Sequence, residues 1–416
     1  MRYRWTIAGL LAALGCLTGP LAPNANAQPW DMSGNTMPTN PLPTGPWQRD
    51  GSGFYAAAEF IMMRQSLTVG AQDVAFRGLV DSAGLLSGTP GAFLGSGEVA
   101  LNTDQLGPNQ WSPGQRTTLG YRFENGWNFS ISWLHLFDTK YSAGAGTQGP
   151  NFSNQGFNLE NSFLFSPVFN FSPEFVGPVA RNTTGGGIGT NGQIVFGALN
   201  GIWNGASDMT ILLTQRFDNW DILGRFPIFE TENARTYAIA GGRFSWIWER
   251  FQWRTVALGI DVENIPEGDP PQQTSSPEWA ARYLNTLSQR MYGPVIGTGH
   301  EVWLGEGFSL DLECTGSVLL DIAKQRAKYI REDQATQAKR SWVDYRVVPN
   351  LNIGLNLSWR PVEGVTIKLG YNAFNYWNTL QMTNPIGFNV GQIDPGYTKK
   401  DWRLLHGTNV GIGFIW

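Results

Sequence analysis

From Leu404 onward the chain alternates strictly. Leu404, His406, Thr408, Val410, Ile412, Phe414 and Trp416 share one parity, and Leu405, Gly407, Asn409, Gly411, Gly413 and Ile415 the other. Successive side chains of a β-strand point to opposite faces, so the pattern predicts a two-faced strand. One face is mostly apolar and ends in two aromatics; the other is mostly small or polar. Three glycines and a final tryptophan are foreign to a soluble edge strand, which charge or proline normally blunts.

The same rhythm recurs upstream. A first strand is predicted at Gly53–Gln65. Thr117, Leu119, Tyr121 and Phe123 alternate with Arg116, Thr118, Gly120 and Arg122, and Glu124-Asn125-Gly126 supplies a hairpin turn. Trp127, Phe129, Ile131, Trp133, His135 and Phe137 then oppose Asn128, Ser130 and Ser132. Met209, Ile211 and Leu213 alternate with Asp208, Thr210 and Thr214, and Asp218-Asn219 reads as a turn into a strand at 220–228. Strands near 236–248 and 252–260 are joined around Glu249-Arg250-Phe251. A strand at about 291–304 precedes the cleanest alternation, at Phe308 to Leu320, Val343 to Trp359 and Val365 to Tyr371. The loop at 261–290 carries a helix signal: Ser276 as cap, Pro277 and Glu278 in the first turn, then Trp279, Tyr283 and Leu287 at helical spacing.

Counted this way there are twelve strands, with five short turns on one side and six mostly long connections on the other. Asp311, Glu313, Arg346 and Lys368 lie within strands, opposite apolar rows. A soluble barrel packs apolar side chains inside; a membrane barrel turns them outward to lipid and keeps short turns on the periplasmic side. The expected fold class is all-β, an antiparallel transmembrane barrel of about twelve strands, within a range of ten to fourteen, with long external loops. A secreted soluble β-protein is the rival reading.

Composition agrees with the barrel. Charged residues are 15%, below the usual quarter, while aromatics reach 13% and glycines number 51. Residues 1–27 resemble a secretory signal, with Arg2 and Arg4, an apolar run Ile7 to Leu17, and Ala25-Asn26-Ala27 before Gln28. A lipobox ending at Cys16 is the alternative, without the preferred leucine three residues earlier. Residues 28–52 form a proline-rich periplasmic spacer, and 53–416 the barrel. After cleavage Cys314 is the only cysteine, so no internal disulfide forms. Losing Arg2 and Arg4 leaves 27 basic against 33 acidic residues, a net charge of −6 that argues against nucleic acid as a partner.

Asn409, Gly411, Phe414 and Trp416 match the carboxy-terminal assembly signal of bacterial outer-membrane barrels, which the resemblance implies is read by the barrel-assembly machinery. The opening strand has an aromatic start followed by Ala-Glu-aromatic-aliphatic at Ala58 to Ile61. With the proline-rich lead-in, this layout resembles the Legionella-type major outer membrane proteins and planctomycete porin-like barrels. Met62-Met63 stand where relatives carry an aromatic pair. The resemblance implies a pore-forming or structural role in the outer membrane, outer-membrane lipids as surroundings, and no catalytic residues.

The predicted polar faces offer Glu59, Arg116, Arg122, Arg216, Asp311, Glu313, Arg346 and Lys368 as lumen groups. In a channel such charges set ion preference; in a plugged barrel they pair internally. The expected function is porin-like passage of small hydrophilic solutes or ions. A structural or surface-interaction barrel with a plugged lumen is the alternative, and an outer-membrane lipolytic enzyme a third. His135, His300 and His406 are the only histidines, and no G-x-S-x-G elbow accompanies them. No metal-ligand spacing is present and no cofactor is expected. Gly187 to Gly192 fits G-x-G-x-x-G by spacing but lacks a following helix pattern. Lys324, Arg326, Lys328, Arg331, Lys339 and Arg340 make the 323–342 segment basic, either a solvated loop or a contact for anionic head groups or sugars. An oligomer is compatible with such a barrel, though no segment specifies one.

Overall fold

The strands follow from the alternation just described. A computed structural model describes residues 53–66, 69–81, 88, 92–146, 163–170, 201–204, 206–231, 233–257, 260–261, 272–273, 280–334, 337–362, 364–389, 391, 393 and 400–416. The signal, the spacer and the G-x-G-x-x-G stretch lie outside these. In chain order the strands are β1 (Gly53–Gln65), β2 (Asp73–Asp81), β3 (Ala92–Asn102), β4 (Trp111–Arg122), β5 (Asn128–Gly146), β6 (Phe163–Phe165), β7 (Ala206–Glu230) and β8 (Ala234–Ala257). The two-residue β9 (Ile260–Asp261) and β10 (Gln272–Gln273) follow, then β11 (Ala280–Gly305), β12 (Phe308–Arg331), β13 (Gln337–Val362), β14 (Val365–Leu380) and β15 (Lys400–Ile415).

Ten strands close a ring in the order β1-β15-β14-β13-β12-β11-β8-β7-β5-β4, with β4 returning to β1. All neighbours are antiparallel. The last strand meets the first from Tyr55 opposite Ile415 to Gln65 opposite Leu405. Short connections at 123–127, 231–233, 306–307 and 363–364 all lie at the end where β1 begins and β15 finishes. At 305–307 the reversal takes three successive residues through positive φ, Gly305, Glu306 and Gly307, a conformation glycine adopts without steric cost.

The ring holds ten strands, inside the expected range but two fewer than the count of twelve. Asp218-Asn219 lies within β7, and Glu249-Arg250-Phe251 within β8, so each pair of predicted strands is one strand of 25 or 24 residues. The connection near 229–235, placed outside by the sequence reading, is a short turn on the other side. These changes cancel in parity, and both chain ends stay at the same end of the barrel. Ser276 to Trp279 of the predicted loop helix lie outside the described residues, and from Ala280 the segment is strand: Tyr283 and Leu287 lie in β11, both buried. A spacing of four residues keeps one face in a strand as well as in a helix, which is why the signal misled. The basic segment at 323–342 is mostly the upper parts of β12 and β13, with its turn after Arg331.

The faces divide as expected over the lower barrel. Phe54, Phe60, Leu119, Ile131, Ile222, Ile296, Val318, Leu355, Val410 and Phe414 are exposed on the outer wall, while Glu59, Asn128, Asn356, Asn372 and Asn409 are buried within. Above this belt the code inverts. On β12 the outer row changes from Leu320 and Ile322 to Lys324, Arg326 and Lys328, while Ala323, Ala327 and Tyr329 point into an apolar cluster. The strands therefore run beyond the apolar belt, where water bathes the outer wall and the interior becomes an ordinary core.

That upper core is a cap. The β2–β3 hairpin contributes Val74, Ala75 and Leu101, a helical turn at Gly201–Asn204 contributes Ile202 and Trp203, and the segment after β14 contributes Met382 and Ile386. Trp203 is buried against Trp253 of β8 and Tyr329 of β12, with ring centroids 4.3 and 4.9 Å away. The cap is fastened to itself and to the wall by hydrogen bonds from Gln72 to Ile386, Asn285 to Pro385 and Gln289 to Leu380.

Candidate functional site: the barrel lumen

Charges on the inward faces gather low in the barrel. They surround a cavity of about 140 Å³ lined by Glu59, Arg116, Asp311, Glu313 and Lys368 among others. Five of the eight predicted lumen residues therefore share one site. Strand register brings them there: Glu59 on β1 lies opposite Arg116 on β4 and Gly411 on β15, and Lys368 on β14 lies opposite the same Gly411.

Glu59 is the centre of one cluster. Its carboxylate accepts from Arg116 Nη1 at 3.2 Å and from Asn409 Nδ2 at 2.8 Å, with Lys368 Nζ 3.6 Å away. A Cβ at Gly411 would fall 2.5 Å from Glu59 Cγ, so glycine there leaves room for the carboxylate arm. Asn409 and Gly411, singled out as parts of an assembly signal, thus also serve the interior.

A second cluster faces it. Arg225 on β7 donates to Glu313 from Nε at 2.9 Å and to Ser130 from Nη1 at 2.9 Å. The Tyr237 hydroxyl lies 2.8 Å from Asp311 and 2.9 Å from Glu313. Arg243 grips Asp221 with two nitrogens, at 2.7 and 3.1 Å, and reaches Asn350 with a third. Arg225, Tyr237, Arg243 and Asp221 were not singled out from sequence. For Asp221 and Arg225 the signal was present: they lie on the parity opposite exposed Trp220 and Ile222.

The remaining three predicted lumen residues lie elsewhere. Arg122 is inward but lower, beside Asn128, Arg235 and Glu301. Arg346 is inward but higher, 3.9 Å from Asp321 and paired with Asp344. Arg216, expected in the lumen, faces outward instead. It shares parity with Trp220 and Ile222 on the outer wall of β7, makes a two-nitrogen contact with Asp138 and stacks 5.4 Å from the Trp248 ring. The false turn at Asp218-Asn219 had obscured which face it takes.

Between the lower cavity and Arg346 the barrel is filled by an apolar layer. Ile61, Met63, Leu134, Leu136, Phe217, Ile247, Met291, Leu319, Val348, Phe374, Tyr376 and Leu405 are each 2% exposed or less. Nine of the ten ring strands supply them; β4 alone does not. At this height β4 carries Gly114, where a Cβ would meet Leu136 Cδ2 at 2.7 Å, so the leucine fills the space that β4 leaves. Above the layer Arg403 donates to Glu249 at 2.7 and 3.0 Å and Gln215 to Glu249 at 2.8 Å. The cap follows. In this conformation the lumen is closed twice, by the layer and by the cap.

Closed ring, outward apolar belt and inward charge describe a membrane barrel. A family model described as Legionella pneumophila major outer membrane protein precursor matches residues 96–404. The chain belongs to this family. Its barrel is accordingly one of the bacterial outer membrane, with short periplasmic turns and its cap on the external side. No curated protein matches the sequence. Solved structures similar to it include the outer membrane protease OmpT from Escherichia coli, at 8% identity, TM-score 0.38, and coverage of 88% of this chain and 97% of that one. Ail, the attachment invasion locus protein of Yersinia pestis, aligns at 10% identity and TM-score 0.20 over 88% and 99%. A FadL homologue of Pseudomonas aeruginosa aligns at 9% identity and TM-score 0.22 over 91% and 92%. At these levels none of the three carries an argument about what this chain does.

Proposed function

We propose that the protein is a closed outer-membrane barrel with a structural or surface-interaction role, its external cap making the contacts. The observation that carries this reading is the apolar layer to which nine strands contribute. An eight-stranded barrel is just filled by its side chains, and ten strands add little width. Here that width is taken up by five aromatic or methionine side chains, Met63, Phe217, Met291, Phe374 and Tyr376, with smaller ones between them. Liposome swelling tests the reading. Vesicles carrying the refolded protein should stay as tight to a small sugar as empty vesicles. Swelling at the rate of an open porin would overturn it.

One observation favours porin-like passage of small hydrophilic solutes or ions as a second reading. The lower cavity presents unlike charges, Glu59 and Glu313 against Arg116 and Lys368, to one space of about 140 Å³, room for several waters. Passage then requires the layer and the cap to part, and Lys368→Gln should shift the reversal potential towards cations. An unchanged potential would remove Lys368 from the path.

We further propose a non-catalytic role. The lipolytic alternative needs a histidine beside a nucleophile. A base of that kind is also oriented by a third group; among the described residues His135 Nδ1 meets the carboxylate of Asp218, while His300 at Thr236 and His406 at Tyr371 sit on the outer wall with no carboxylate behind them.

A further inference from the structure

The outer wall is not apolar throughout. Where β8, β11 and β12 leave the apolar belt, a trough of about 690 Å³ opens on the outside of the barrel. Its floor and sides are set by register. On β11, Thr286 lies between Arg250 of β8 and Arg326 of β12; one step down, Ser288 lies between Trp248 and Lys324. Small side chains on the middle strand and long ones on its neighbours make a channel about 10 Å across, twice the spacing between strands.

The trough is basic. Arg250, Arg290, Lys324, Arg326 and Lys328 line it, and no acidic residue does. None of the five makes an ion pair among the described residues. Nearby acids are engaged elsewhere: Glu332 with Arg254 and Arg282, Asp138 with Arg216. Two of the five lie over indoles, Arg250 at 4.8 Å from the Trp248 ring and Arg290 at 5.6 Å from Trp246. Trp246 in turn donates to Ser288 Oγ at 3.0 Å. Stacking fixes the guanidiniums while leaving N–H edges free, the arrangement suited to phosphate.

The lower border of the trough identifies the ligand class. Arg290 lies opposite Ile322, which lies opposite Tyr345, and below this row Tyr292, Leu320 and Val347 are exposed on the lipid-facing wall. A soluble anion would use only the cations. An amphiphile would place its anionic head in the trough and its chains on the adjoining apolar rows. We propose that this trough binds the phosphate groups of a glycolipid in the outer leaflet. The proposal rests on the outer-membrane location and is independent of whether the lumen conducts.

The test uses the full chain refolded in phosphatidylcholine nanodiscs, with phosphorylated lipid A and enzymatically dephosphorylated lipid A as probes, and native mass spectrometry of retained adducts. The wild type should retain the phosphorylated form preferentially. Each basic residue near a membrane surface is worth roughly a factor of five in binding, so Lys324→Ser/Arg326→Ser/Lys328→Ser should weaken retention about a hundredfold. Heat-modifiable gel mobility establishes that the variant is folded; should the triple variant fail to fold, Arg326→Ser alone is read the same way. Equal retention of both lipids by the wild type, or unchanged retention by the folded variant, overturns the proposal. Full displacement by excess inorganic phosphate would overturn the lipid assignment and leave a free-phosphate site.

Discussion

Glu249 shows what parity does to a single residue. Read as part of a turn it would be solvated; placed inside β8 it is buried, and only Arg403 and Gln215 make that tolerable. A buried ion pair that loses one partner leaves an uncompensated charge, which costs about 3–5 kcal/mol. Glu249→Gln should lower stability by that amount, whereas Glu249→Leu combined with Arg403→Met should recover most of it. Urea unfolding of the refolded protein in detergent measures both, and equal losses in the two variants would contradict the pairing. Outside the membrane, Glu332 behaves differently. Hydrogen bonds from Arg254 and Arg282 hold its carboxyl below the usual carboxylate range. A depressed folded-state value contributes stability that is fully present above the ordinary carboxylate value and is lost as pH falls through the depressed one. Thermal melts of wild type and Glu332→Gln should therefore differ at neutral pH and converge in acid. A gap that persists at low pH would place the effect elsewhere.

At the scale of elements, legibility followed the membrane. β1, β4, the lower part of β5 and β13 to β15 were readable because their alternation sets apolar residues outside against small or polar ones inside. Where β7, β8, β11 and β12 continue past the apolar belt, the outer face turns polar and the inner face apolar. A scan for one polarity then breaks each strand at the interface. That break produced the false turns at 218–219 and 249–251, the false helix around Tyr283, and the false loop at 323–342. The lower cavity was legible for the same reason the lower strands were: Glu59, Asp311, Glu313 and Lys368 are charges opposite lipid-facing rows. The apolar layer was not, because an inward leucine or phenylalanine looks the same in sequence as an outward one until register is known. Insertion tolerance separates the two strand counts. A protease site inserted at 231–233 should leave a folded, cleavable barrel, because exposed turns accept insertions. The same insertion between Asp218 and Asn219 should abolish folding. A folded barrel cleaved at 218–219 would restore the twelve-strand arrangement.

For the whole molecule, the sequence pattern specifies an outer-membrane barrel, and the packing supports the proposal that it is shut. The ring closes through β1 and β15, the outer wall changes from a lipid-facing belt to a basic rim, and the interior changes from a charged cavity to an apolar layer and cap. These changes occur on the same strands, so one sequence encodes both the depth in the membrane and the closure of the lumen. The most direct test of closure is conductance across a planar bilayer of the refolded chain, with circular dichroism establishing the β-barrel. A closed barrel should give a folded protein that produces no discrete current steps at moderate voltage. Reproducible single-channel steps from the same preparation would contradict it and make porin-like passage the function to pursue.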